Sequence, residues 1–171
     1  MAWSWQRCHW HIKNNTQKLF AVKFLVYWLL GMLSLALVVI TADAGFGISL
    51  KASAIEMYGL GAVFILAVLS FVTFFSSFFK TEVAFIRGII MYPVPAFILS
   101  GYTWPTEAMP EILQNVSKAL PLSWYSGTVR ELFLYGHSAR LLQCAGMLFS
   151  LALVFSALAY FILRRRIRNL A

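Results

Sequence analysis

Four long apolar runs are the feature that most constrains the fold of this chain. They cover residues 19–41, 57–79, 83–104 and 141–163, and the second and fourth runs contain no charged residue. About 20 apolar residues, rising about 1.5 Å each, are enough to cross about 30 Å of hydrocarbon as a helix. We therefore predict an all-α integral membrane protein with four transmembrane helices.

The composition excludes two other classes of protein. The chain is 61% hydrophobic and 12% charged, with a mean hydropathy of +0.77. Disordered chains are poor in apolar residues, and a water-soluble core in a chain of this length could not bury so many of them. The net charge of +8 does not indicate nucleic-acid binding, because no soluble basic face is available to present to it.

The basic residues predict how the chain threads the membrane. Ten of the 14 Lys and Arg residues lie near the first run, around the gap between the second and third runs, or after the fourth. The positive-inside rule places these ten in the cytoplasm, so we expect a multi-pass protein of the cell inner membrane or plasma membrane with both termini in the cytoplasm. The ten residues are Arg7, Lys13, Lys18, Lys23, Lys80, Arg87, Arg164, Arg165, Arg166 and Arg168.

The segment 1–18 is predicted to be cytoplasmic or interfacial, and residues 19–171 to form the transmembrane domain. Three tryptophans and several basic residues suit the headgroup layer, as an in-plane helix or as a flexible tail. Cys8, His9 and His11 lack the spacing and the partners of a zinc site. The first run is expected to be retained, because the uncharged stretch 24–40 is longer than an ordinary signal-peptide core.

Two prolines, Pro93 and Pro95, lie near the middle of the third run. Proline removes a backbone donor and clashes with the preceding turn, so we predict a helix kink there. The backbone groups that are freed need partners from neighbouring helices or trapped water. A functional bend and a purely structural kink both fit this pattern.

The outer segment 105–136 is predicted to form a re-entrant or interfacial helical hairpin between the third and fourth transmembrane helices. Thr106 is expected to cap a short helix, Thr106–Ala119, which Pro121 ends. The next stretch, Leu122–Leu134, is apolar but too short to span. Five residues form an apolar stripe at helical spacing on the first of these helices: Ile112, Leu113, Val116, Ala119 and Leu120.

The chain lacks the groups that membrane chemistry needs. No Asp, Glu or His lies within the body of any apolar run, and the phosphate-binding loop of an ATPase is absent. We therefore predict no catalytic residue, no metal site and no bound cofactor. Any transport must draw its energy from a partner.

Three stretches resemble motifs of ABC type-2 exporter permeases. Ser100–Pro105 with Glu107–Pro110 resembles the pattern SG-x-x-[FW]-P-x-x-x-MP of that family. Ala119–Tyr125 is similar to x-x-P-L-[ST]-[YW]-[YF], and Arg130–Gly136 to the LR-x-x-x-L-x-G that leads into the last span. The resemblance covers the chain from about Phe20 to the C-terminus.

This resemblance implies a permease subunit that pairs with a second permease copy or paralogue and with an ATP-binding cassette ATPase. A complete member has six spans, so the four runs match its C-terminal part. The resemblance also assigns an outer gate to the hairpin, with six residues in that gate: Pro105, Met109, Pro110, Pro121, Trp124 and Tyr125.

Two other functions fit the sequence. A non-catalytic membrane scaffold or assembly protein would show the same apolar runs. An enzyme acting at the outer face could use Glu131 or His137, although no motif surrounds either residue. The transported substrate stays open, with Phe and Met side chains along the path favouring amphiphiles.

Overall fold

The computed structural model describes residues 2–47, 51–79 and 81–169; the side chains of residues 2–20, 46, 82, 107 and 163–169 are outside this description. Within it the chain is helical, without a strand. The helices are α1 (Ala2–Phe46), α2 (Ala54–Ser76), α3 (Glu82–Ile90), α4 (Pro93–Leu99), α5 (Glu111–Ala119), α6 (Pro121–Tyr135) and α7 (Leu141–Asn169), with a 3-10 turn at Thr106–Ala108.

Three helices are long and apolar enough to cross a membrane. Their apolar segments are Ala21–Gly45 of α1, Ala54–Ser76 of α2 and Leu141–Ile162 of α7. They confirm three of the four predicted runs. Residues 2–18 continue the backbone of α1, which has 45 residues and is about 68 Å long, more than twice the hydrocarbon thickness. The side chains of Cys8, His9 and His11 lie outside the described residues.

The third apolar run forms two short helices instead of one long one. The apolar helical stretch Val83–Leu99 is shorter than the other three, and it ends five residues before the predicted end at Trp104. The two helices meet at Met91 and Tyr92, directly before Pro93. Because Pro93 has no amide hydrogen, the Ile89 carbonyl accepts its hydrogen bond from the Tyr92 N–H, at 3.2 Å.

The centre of the bundle is the packing of α2 along α7, which is the most extensive contact between helices in the described chain. Small side chains line this contact: Ala67 and Ser70 on α2, and Ala152 and Ala159 on α7, are each at most 1% exposed. Between apolar helices in lipid, small residues let the backbones approach and gain dispersion contacts. Leu148 of α7 is fully buried in the same core cluster as Ala67 and Ala152.

α1 crosses α2 over a narrow contact. A Cβ atom placed on Gly31 would lie 2.7 Å from Cγ2 of Ile65, so glycine permits the close approach. The indole N–H of Trp28 donates to the Ala62 carbonyl at 3.0 Å. Much of α1 is left uncovered by the protein, including Leu29, Leu33 and other large apolar side chains.

Aromatic rings join the C-terminal half of α2 to α4 and α7. The ring centroid of Phe71 lies 4.9 Å from that of Tyr92 and 5.2 Å from that of Phe155, the latter edge to face. Edge-to-face and tilted pairs at these distances are favourable beyond the area that they bury. This cluster packs Tyr92, at the joint between α3 and α4, against α2, which packs in turn on α7.

We predict that Ala152→Leu destabilises the fold and that Ala157→Leu, an identical change on the exposed face of the same helix, does not. Adding bulk to the filled seam against α2 costs about 1–3 kcal/mol, whereas a change at an exposed position stays within about 0.5 kcal/mol. Thermal unfolding in detergent, followed by size-exclusion chromatography, measures the difference. Equal losses of stability in the two variants would contradict this packing.

Candidate functional site: the hairpin between α4 and α7

The C-terminus of α4 is closed by Ser100 and Gly101. The Ser100 hydroxyl donates to the Phe97 carbonyl at 2.6 Å and accepts from the Tyr102 N–H at 3.4 Å. Gly101 has a φ of 80°, a left-handed conformation that a side chain would strain. These two residues stop the helix and turn the chain into the hairpin, which comprises residues 105–136.

Two prolines separate the first elements of the hairpin. Pro105 precedes the 3-10 turn, and Pro110 precedes α5. Met109, held extended (φ −83°, ψ 146°) by the proline that follows it, is buried. The expected single helix from Thr106 to Ala119 is therefore wrong, and Thr106 does not cap α5.

Pro121 and Trp124 hold α5 and α6 together. Pro121 occupies the first turn of α6, where its missing amide hydrogen costs nothing, and its side chain is fully buried. The Trp124 indole N–H donates to the Lys118 carbonyl at 2.8 Å, in the last turn of α5. That bond satisfies a carbonyl that has no donor within its own helix.

Three serines attach α5 and α6 to the end of α4. Ser117 of α5 and Ser123 of α6 both approach the Leu99 carbonyl, with Oγ–O distances of 2.8 and 3.2 Å. The Ser126 hydroxyl donates to the Ser100 carbonyl at 2.9 Å. The hairpin thus supplies the donors that the last turn of α4 lacks.

The hydrogen atoms of this cluster can be counted. The hydroxyls of Ser117 and Ser123 also lie 3.1 Å apart. The three oxygens are therefore mutually close, but the two hydroxyls have only two protons to donate among these three contacts. Either serine alone can satisfy that carbonyl. Removing both would leave it without a donor, at a cost of about 1–3 kcal/mol.

The opposite side of α6 packs on α2 and α7. The Tyr125 ring stacks on Phe64 with centroids 4.0 Å apart and planes 9° from parallel. Burial raises the pKa of the Tyr125 phenol from its usual value of 10 to about 12. The Cys144 thiol and the Thr128 hydroxyl both donate to the Trp124 carbonyl, at 3.0 and 3.3 Å.

The end of α6 is fixed by the segment that precedes α2. Gly136 ends the helix with a φ of 79°. A Cβ atom there would lie 3.0 Å from the Lys51 carbonyl oxygen, so the two backbones meet at this glycine. The Lys51 ammonium donates to the Leu134 carbonyl at 3.1 Å, at the negative end of α6.

The six predicted gate residues occupy exposed, half-buried and buried positions. Pro105 and Pro110 are exposed, Met109 and Pro121 are buried, and Trp124 and Tyr125 are half-buried. Trp124 lines a polar cleft of about 440 Å³. Tyr125 lines an apolar groove of about 570 Å³ beside α1 and α2. Most of the six lie where the chain changes direction.

Sequence reasoning missed the residues that attach the hairpin. Two members of the apolar stripe on α5 face away from the protein: Ile112 is 78% exposed and Val116 is 46% exposed. Ser117, which was not selected from the sequence, is buried at 4% exposure. The only signal in the sequence is that Ser117 lies one turn before Pro121, where the helix ends. A serine at such a position predicts a hydrogen bond to nearby backbone but not a contact with a distant helix.

The polar cleft lies between α5, α6 and the first turn of α7. Its wall carries Lys118, Arg140 and Glu131, together with uncharged polar groups that include Gln143 and Thr128. Glu131 accepts a hydrogen bond of 2.6 Å from Ser138. Among the described residues, no three His, Cys, Asp or Glu side chains are grouped so as to hold a metal ion.

We predict that Ser117→Ala and Ser123→Ala act non-additively. Each single change leaves a donor for the Leu99 carbonyl, whereas the double change leaves none, so its effect exceeds the sum of the two. Amide hydrogen exchange of α5 and α6 in nanodiscs measures this, with an expected acceleration of at least about fivefold in the double variant.

The control is Ser150→Ala, an exposed serine on α7 that bonds only the Met147 carbonyl of its own helix. It should leave exchange in the hairpin unchanged. If the effects of Ser117→Ala and Ser123→Ala on exchange simply added, the two hydroxyls would not share the Leu99 carbonyl.

Two of the relatives that the chain matches are named as probable multidrug ABC transporter permeases. Over 146 residues it is 24% identical to the probable multidrug ABC transporter permease YbhS of Escherichia coli, covering 80% of this chain and 38% of that protein. Over 78 residues it is 31% identical to the probable multidrug ABC transporter permease YbhR, covering 46% of this chain and 20% of that protein. The uncharacterized protein YhgE of Bacillus subtilis is 30% identical over 146 residues, 85% of this chain and 18% of its own length.

No solved structure matches the chain significantly. The chain spans well under half the length of each of these relatives. A family model described as ABC-2 family transporter protein matches residues 12–161. That match covers most of the chain and includes α2, the hairpin and nearly all of the apolar part of α7. The chain belongs to the ABC-2 family of transporter proteins.

Proposed function

We propose that this chain is the permease subunit, or the C-terminal part of one, of an ATP-binding-cassette exporter in the bacterial inner membrane or plasma membrane. Its third crossing is formed by α3 and α4 together, and both termini lie in the cytoplasm. The hairpin lies at the outer face as the gate of the translocation path.

The length and the polar contacts of α3 and α4 support a crossing. The 17 residues Val83–Leu99 rise about 26 Å as a helix, slightly less than the hydrocarbon thickness. A helix can end at that depth only if its last carbonyls find donors in the protein. Ser117, Ser123 and Ser126 are those donors.

The same contacts couple the gate to the membrane helix. Because α5 and α6 hold the end of α4 by hydrogen bonds, a tilt of α4 carries the hairpin with it. The joint at Met91 and Tyr92 is where α4 can change its angle to α3, since two prolines follow it. This attachment is the observation that carries the proposed gating role.

The energy for export comes from a separate subunit. The sequence contains no phosphate-binding loop, so we assign ATP hydrolysis to an ATP-binding cassette partner and expect a permease dimer. By the positive-inside rule, we expect the basic residues that precede the first apolar run, flank the start of the third and follow the fourth to face this partner and the anionic inner leaflet. Apolar side chains dominate the grooves beside α1, so amphiphiles are the substrate class that we propose.

We predict that Thr81→Cys and Thr103→Cys, at the two ends of the α3–α4 pair, are labelled from opposite sides of the membrane. Both positions are exposed, and the native Cys8 and Cys144 are first replaced by serine. A membrane-impermeant maleimide should modify Thr103→Cys in intact cells and Thr81→Cys only after permeabilisation. Labelling of both from one side would show that α3 and α4 do not cross.

The transport function is tested by purifying the tagged chain from its native membrane. The proposal expects a nucleotide-hydrolysing subunit to co-purify and ATP hydrolysis to drive dye export in proteoliposomes. Recovery of the chain without an ATPase, in preparations that keep other membrane complexes intact, would favour a scaffold role and contradict the proposal.

In the complete transporter, we predict that Pro105→Ala and Met109→Asp impair export while the protein still inserts. Pro105 sets the start of the turn, and a carboxylate at the buried Met109 position would open the contact beneath it. Export of a fluorescent amphiphilic dye should fall about tenfold, which corresponds to about 1.4 kcal/mol.

Thr103→Ala, an exposed change next to the same turn, is the matched control and should export normally. Immunoblots of the membrane fraction establish insertion. Full export by both hairpin variants would remove the gate role from this turn.

A further inference from the structure

The polar cleft between α5, α6 and α7 has features that the proposed transport path does not explain. We propose that it binds the headgroup of an anionic phospholipid. The cleft has a volume of about 440 Å³ and carries cations from two separate elements, Lys118 at the end of α5 and Arg140 just before α7. A phosphodiester between them would receive charge-assisted hydrogen bonds.

The one carboxylate on the described wall is already engaged. Glu131 accepts from the Ser138 hydroxyl at 2.6 Å, and the same hydroxyl accepts from the Arg140 backbone N–H at 3.2 Å. These two hydrogen bonds order the loop between α6 and α7, which carries Arg140 on the wall of the cleft. With two cations and one hydrogen-bonded carboxylate, the wall of the cleft carries a net positive charge that attracts anions.

The position of the cleft favours a lipid over a free anion. Arg140 directly precedes the candidate span Leu141–Ile162, so the cleft opens at the boundary between hydrocarbon and headgroups. Trp124 on its wall is typical of that boundary. In the first turn of α7, Leu142 is 84% exposed, so apolar surface that can contact acyl chains begins next in sequence to the residues that line the cleft.

The binding of such a lipid would join α5, α6 and α7 across the loop between them. The proposal rests on the outer placement of the hairpin in the proposed function, but its test does not. Binding of a soluble short-chain lipid to the detergent-purified chain needs no ATPase, no transport and no membrane orientation. Its failure would leave the permease function untouched.

The experiment measures binding of dihexanoyl-phosphatidylglycerol, dihexanoyl-phosphatidylcholine and glycerol phosphate by native mass spectrometry and isothermal titration. We expect the anionic lipid to bind more tightly than the zwitterionic one, and glycerol phosphate to bind far more weakly than either. Lys118→Gln and Arg140→Gln should each lower the affinity for the anionic lipid about fivefold.

Arg130→Gln is the matched control, because Arg130 is exposed on α6 and does not line the cleft. It removes the same charge from the same end of the molecule and should leave binding unchanged. Three results would overturn the proposal: equal affinity for the two lipids, equal binding of glycerol phosphate, or an equal loss in Arg130→Gln. Circular dichroism establishes that each variant keeps its helix content.

Discussion

The carbonyl groups at the C-terminal end of α4 are the constraint on which the hairpin depends. A helix leaves its last carbonyls without donors, and in hydrocarbon each unsatisfied group costs several kcal/mol. The chain meets this need with hydroxyls from two later helices, because Ser117 and Ser123 reach Leu99 and Ser126 reaches Ser100. The early end of α4 and the docking of the hairpin against it are therefore two parts of one arrangement.

That arrangement explains why the hairpin residues have the types that they do. Gly101 and Gly136 occupy left-handed conformations at the ends of α4 and α6, and Pro110 and Pro121 start helices whose first amides need no partner. Trp124 satisfies the end of α5. The residues that resemble a transporter motif thus act here as helix ends and as contacts between helices, and these contacts attach the hairpin to the end of α4.

Three of the four apolar spans were predictable from the sequence because length and hydropathy are local properties. So were the interruption of the third run near Pro93 and the end of the first hairpin helix before Pro121, since proline acts on its own backbone. The prediction that a helix starts at Thr106 was wrong because Pro110 restricts the residue before it to an extended conformation, so α5 begins only after this proline. The attachment by Ser117 and the contact of Lys51 with the end of α6 were also missed, because residues far apart in sequence make them. The cleft likewise combines three helices, so no single stretch contains its pattern.

The hydrogen bond to the Leu99 carbonyl is the most direct point at which to test this account. Infrared spectroscopy of the chain in lipid nanodiscs, with a ¹³C=¹⁸O label at Leu99, reports whether that carbonyl is hydrogen-bonded, because hydrogen bonding lowers its stretching frequency. We predict a low frequency in the wild-type chain and a clear rise when both Ser117 and Ser123 are replaced by alanine. An identical frequency in the two proteins would mean that the hairpin does not satisfy the end of α4, and it would contradict the proposed coupling between that helix and the hairpin.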